Sequence, residues 1–133
     1  MTDHPGGLLR KVDCVRIPVP DLDRGLAFYR DRLGHELIWR TADAAGLRMP
    51  GSDSELVLAA GSAEPEVDFL VDSADAAVDE LIRAGGTVRA GPFDIPVGRV
   101  AVVDDPFGNQ LTIVDLSRGR YVTGDDGTVT GVA

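Results

Sequence analysis

The stretch CVRIPVPDLDRGLAFYRDRLGHE (14–36) decides the fold, because the chain carries its pattern twice. Moved along by 52 positions (66 − 14 = 52), it overlies EVDFLVDSADAAVDELIRAGGTV (66–88). Val15 then meets Val67, Val19 meets Val71, Asp23 meets Asp75 and Gly34 meets Gly86. Few letters are shared, but the pattern is. Each copy alternates apolar with polar residues, changes to helical spacing, and stops at glycine.

Within the first copy, Val15, Ile17 and Val19 alternate with Cys14, Arg16 and Pro18, the signature of a half-buried strand. Pro18 and Pro20 mark a strand end or edge. Asp21 is placed to cap a helix whose apolar face is Leu22, Leu26, Tyr29 and Leu33, closed by Gly34. Short strands follow near 35–41, 45–49 and 54–60, with a turn at Pro50-Gly51-Ser52-Asp53. In the second copy Val67, Phe69 and Val71 form the strand and Ser73 the cap. Ala77, Val78, Leu81 and Ile82 form the helix face. Strands near 87–90, 98–103 and 109–115 follow, the last two joined by the tight loop DDPFGN (104–109).

The pattern is strand–helix–strand–strand–strand, twice over. Short links between strands favour antiparallel pairing and an α+β domain. A single ferredoxin-like sandwich leaves too many strands over. The expected divisions are a flexible arm at 1–11, modules at 12–62 and 63–117, and a hairpin tail at 118–133. That tail reads as Tyr121-Val122-Thr123 and Thr128-Val129-Thr130 around Gly124-Asp125-Asp126-Gly127.

The chain has 133 residues, of which 44% are hydrophobic, enough for a packed core without staples. Its single cysteine, Cys14, excludes an internal disulfide. The absence of a signal-like or long apolar run gives a cytoplasmic expectation. A formal net charge of −9, with no basic stripe, argues against nucleic acid and against anionic membranes as partners. Phosphate loops, dinucleotide fingerprints, Cys-x-x-Cys pairs and nucleophile elbows are all missing from the sequence.

VRIPVPDLDRGLAFYRDRLGHEL (15–37) resembles the opening of vicinal oxygen chelate proteins, and VAVVDDPFGNQLTIVDL (100–116) resembles their closing hairpin. The superfamily includes glyoxalase I, bleomycin-resistance proteins and extradiol dioxygenases. The resemblance covers roughly residues 12–116. It implies an α+β fold of two βαβββ modules whose curved, mostly antiparallel sheets surround a shared cleft, commonly in a homodimer. It also implies a metal site in the metal-dependent members, with ligands on the first and fourth strand of each module. Carried over, those positions are Cys14, Val57, Glu66 and Thr112. Valine has no donor atom, threonine is a weak ligand, and Cys with Glu suits no single common ion. No metal or other cofactor is therefore expected, with a divalent ion as the alternative. Glu55, two residues before Val57, replaces it only if the register slips.

Strand alternation puts Cys14 and Arg16 on one face and Glu66 and Asp68 on the corresponding face of the second copy. Symmetry sets Arg16 opposite Asp68. That pair either ties two strands together, or leaves Arg16 to bind an anion while Glu66 or Asp68 accepts a proton. Trp39 is either packing or a stacking wall, and Leu47 with Met49 either core or an extension of that wall. Cys14 is a nucleophile only with an activating base, yet His4 and His35 are the only histidines and neither adjoins it. The sequence thus gives a small-molecule ligand held by Cys14, Arg16, Trp39, Leu47, Met49, Val57 and Thr112. The competing reading is a metal-assisted or acid–base lyase, isomerase or dioxygenase acting through Glu66 and Asp68.

Overall fold

The computed structural model describes residues 6–133. Residues 1–5 of the expected arm, His4 among them, lie outside the described residues. The chain divides into two compact units. One comprises Asp13–Val67 with Tyr121–Gly131, and the other comprises Asp68–Arg120 with residues 6–12. The division falls at 67/68, and the C-terminal hairpin belongs to the first unit.

In the first unit, β1 (Lys11–Val19) leads into α1 (Leu22–Leu26), which continues as a π-helical segment (Ala27–Arg32). Next come β2 (Leu37–Arg40), β3 (Ala44–Arg48) and β4 (Glu55–Ala60). Their sheet runs β2-β3-β4-β1, with β1 parallel to β4 and the other neighbours antiparallel. The helix covers one face. There Leu22 and Leu26 pack with Val19, Ala45, Leu47, Leu56 and Leu58 in a buried core.

The π segment changes one expectation. Leu33 should continue the apolar face of the helix, yet it is 54% exposed. Its amide bonds the Phe28 carbonyl, five residues back, at 3.0 Å. The wider turn moves later side chains out of phase with the core.

The second unit repeats the plan with β5 (Glu66–Leu70, of which Glu66 and Val67 fall in the first unit), α2 (Ala74–Arg83), β6 (Thr87–Ile95), β7 (Gly98–Asp104) and β8 (Gln110–Asp115). Its order is β5-β8-β7-β6, with β5 parallel to β8. The fold is thus α+β, built from two βαβββ modules. Helix starts carry the repeat most sharply. Asp21 accepts a hydrogen bond from the Arg24 amide at 2.8 Å, and Ser73, 52 positions on (73 − 21 = 52), accepts one from the Ala76 amide at 3.2 Å.

The second core gathers Val71, Ala74, Ala77, Val78, Ala101, Val103 and Ile113. Ile82, expected on the buried helix face, is half exposed because Ala74, Ala77, Val78 and Leu81 complete that stripe without it. Leu8 and Leu9 pack on this core, and the Arg10 amide donates to the Leu70 carbonyl at 2.8 Å. The inner end of the expected arm is therefore anchored. β6 runs past Gly91-Pro92 to Ile95, an extension that an edge strand with register shifts permits.

Asp115 ties the second unit together. It is buried, and its carboxylate accepts from the amides of Ala74 (2.7 Å), Arg99 (3.0 Å) and Ser117 (3.2 Å) and from the Ser117 hydroxyl (2.6 Å). Among the described residues, no helix is long and apolar enough to cross a membrane.

Candidate functional site

The face of the first sheet turned away from α1 carries the chemistry. Directly paired residues share a face, so the register fixes its members. Cys14 pairs with Glu55, and Arg16 with Val57. Val57 pairs with Gly46, and Gly46 with Trp39. Cys14, Trp39, Ala44 and Val57 form one buried cluster, with Ile38, Tyr121 and Val129 packed against it.

Gly46 makes room for the indole. A Cβ at this position would lie 2.1 Å from Trp39 Nε1. The ring consequently lies across β3, and Nε1 donates to Glu55 Oε1 at 2.7 Å. On its other side Trp39 meets Tyr121, with ring centroids 4.9 Å apart and planes tilted by 48°. Burial raises the Tyr121 phenol above its ordinary pKa; Arg16 opposes that rise, while Asp43 and Glu55 add to it. Arg16 Nε lies 3.9 Å from Glu66 Oε2. The result is an apolar floor and an aromatic wall beside a cation and two carboxylates.

Seven of the sequence-derived residues, Cys14, Arg16, Trp39, Leu47, Met49, Val57 and Glu66, lie in this unit. Arg16 faces Glu66, a pairing that the symmetry argument did not anticipate. Asp68 and Thr112 lie in the second unit, paired with each other in register and both buried. Leu47 and Met49 depart from the expected wall. Leu47 is fully buried in the core beneath α1, and Met49 packs onto that same core. A register shift between Leu37 and Trp39 is the reason: it sends Leu37 to the helix side with Leu47, and Trp39 to the other. Tyr121, Val129 and Ala44 were missed. The lone Tyr-Val-Thr strand of the tail signalled a hairpin without saying what it covers.

The inherited ligand positions can be tested one by one. Val57 has no lone pair to give, and Thr112 offers a neutral hydroxyl. Cys14 is 5% exposed beneath Tyr121 and Val129, and Glu66 faces a guanidinium. Among the described residues, no three His, Cys, Asp or Glu side chains gather as a cation-binding group.

A family model, Glyoxalase/Bleomycin resistance protein/Dioxygenase superfamily, matches residues 11–113. The chain belongs to this superfamily. One relative is the anthracycline biosynthesis protein DauV of Streptomyces sp. (strain C5), 30% identical over 136 residues, or 91% of this chain and 46% of DauV. Another is the putative glyoxylase CFP32 of Mycobacterium tuberculosis (strain CDC 1551 / Oshkosh), 39% identical over 107 residues, or 71% of this chain and 39% of CFP32. The chain spans less than half the length of these curated relatives. The same fold appears among solved structures. Methylmalonyl-CoA epimerase from Mycobacterium tuberculosis superposes with a TM-score of 0.65 at 24% identity, over 82% of this chain and 89% of that one.

Proposed function

We propose that this superfamily member binds a small planar organic ligand on the helix-remote face of its first unit, without a divalent ion. The observation that carries this reading is the setting of Trp39. Its indole is held flat over Gly46, anchored to Glu55, and backed by a floor of Cys14, Ala44 and Val57. An aromatic surface gives stacking and apolar contact, and Arg16 beside it suits an anionic substituent. The similarity to DauV supports the same ligand class, since anthracyclines are fused planar rings. Valine and threonine at two inherited ligand positions support the omission of the metal.

A second reading keeps catalysis. Glu55, held by Trp39, and Glu66, facing Arg16, give two carboxylates in one unit, a set suited to acid–base lyase or isomerase chemistry. Elemental analysis and screening for turnover separate the two readings. Stoichiometric zinc, nickel, iron or manganese in the purified protein favours the enzyme. The binding reading also places the protein in the cytoplasm as a homodimer, with no nucleic-acid or membrane partner. Net charge supports the latter, and light scattering tests the former.

The binding test is a titration of Trp39 fluorescence with anthraquinone sulfonate, a planar anion. Saturable quenching is expected, with Arg16→Ala weakening the apparent affinity about tenfold, or ~1.4 kcal/mol. Quenching that never saturates, or that is indifferent to Arg16, contradicts the proposal.

A further inference from the structure

The C-terminal hairpin, β9 (Tyr121–Thr123) and β10 (Val129–Val132), forms a separate two-stranded sheet. Its hydrogen bonds are largely its own: the Gly124 amide donates to Thr128, the Gly127 amide to Gly124, and the Thr130 hydroxyl to Val122. It is attached to the edge strand β2 through the Arg40 amide, which donates to the Gly127 carbonyl at 2.7 Å, and through a bridge between Arg40 and Thr128. From residue 121 onward Tyr121, Gly127 and Val129 are partly buried, and the others are exposed. Yet Tyr121 and Val129 rest on the ligand face itself, against Cys14, Trp39, Ala44 and Val57.

A small hairpin is marginal by itself and depends on its docking contacts. Here these are few, whereas the sheet beneath is continuously paired. Segments of this kind open locally, at a small fraction of the free energy of global unfolding. We infer that the hairpin is a displaceable cover on the ligand face, with Tyr121 occupying on Trp39 the place taken by a planar ring of the ligand. The second half of this inference rests on the ligand reading above; the first half does not. A ligand must displace Tyr121, so the hairpin sets which ligands enter: those whose ring stacks on indole better than phenol does.

Two single-residue reporters make the test clean, since Cys14 is the only cysteine and Trp39 the only tryptophan. Cys14 labelling by Ellman's reagent is measured in the full chain and in Tyr121→Ala and Gly127→Val. Gly127 has φ +84°, and a Cβ there meets Leu37 Cδ2 at 3.0 Å, so valine unseats the turn from β2. Both variants should label about tenfold faster or more, as local opening exposes the thiol. Hydrogen exchange on the unaltered chain provides a readout independent of any substitution. Hairpin amides and the Arg40 amide should exchange well before those of β3 and β4. Parental labelling rates in both variants, or hairpin amides that exchange only with the β3–β4 core, overturn the cover. Fast labelling that anthraquinone sulfonate does not suppress in Gly127→Val upholds the cover and removes the ligand reading.

Discussion

Trp39 on β2 donates its indole N–H to Glu55 on β4 at 2.7 Å, across β3 and above Gly46. The bond holds the largest ring of the helix-remote face in one orientation. Trp39 is 8% exposed, so its N–H depends on that acceptor. Glu55→Leu removes it and should destabilise the first unit by about 1–3 kcal/mol. Glu55→Gln keeps a carbonyl acceptor and should lose less than about 1 kcal/mol. Urea denaturation followed by Trp39 emission measures both. Equal losses would show that Glu55 does not act through this bond.

Leu47 and Trp39 separate stability from binding. Leu47 lies wholly in the core beneath α1. Leu47→Ala should cost about 2–5 kcal/mol through the cavity it leaves. Its affinity for anthraquinone sulfonate should stay unchanged where the protein remains folded. Trp39→Phe should do the reverse, with a smaller stability loss and clear weakening of binding by calorimetry. A binding defect in Leu47→Ala at full folding would place the ligand elsewhere.

Much of this was legible in the sequence because it is local. The strand alternation of residues 14–19, and the caps Asp21 and Ser73 at equal places in the two copies, depend on near neighbours alone. What escaped depends on distant partners. Alternation says that Leu47 and Gly46 face opposite ways, but not which of the two meets the helix; the pairing of Leu47 with Leu56 sets that, and the shift between Leu37 and Trp39 puts the indole on the Gly46 side. The π turn that exposes Leu33 has no propensity signal. The tail was readable as a hairpin from its turn residues. Its seat on Trp39 was not, since nothing near Tyr121 in sequence names the surface it covers.

Asp115 gives the second unit a pH dependence. Burial pushes its carboxyl up, but hydrogen bonds from Ala74, Ser117 and Arg99 outweigh burial and hold the pKa below the ordinary carboxylate value. A pKa depressed by folding adds stability above the unfolded value, near 3.9, and that stability is lost as pH falls through the folded value. Asp115→Asn should therefore cost about 2–3 kcal/mol near neutrality, and its deficit should shrink below about pH 4. Thermal melts of both proteins from neutral pH down into that range check the sign. A deficit that grows in acid would contradict it.

The most direct measurement is calorimetric titration of the unaltered protein with anthraquinone sulfonate, before and after exhaustive chelation. The account predicts a single saturable site of unchanged affinity, lost in Trp39→Ala and weakened in Arg16→Ala. Binding that vanishes with the chelator and returns with manganese, nickel or zinc would contradict it, as would the absence of any saturable heat.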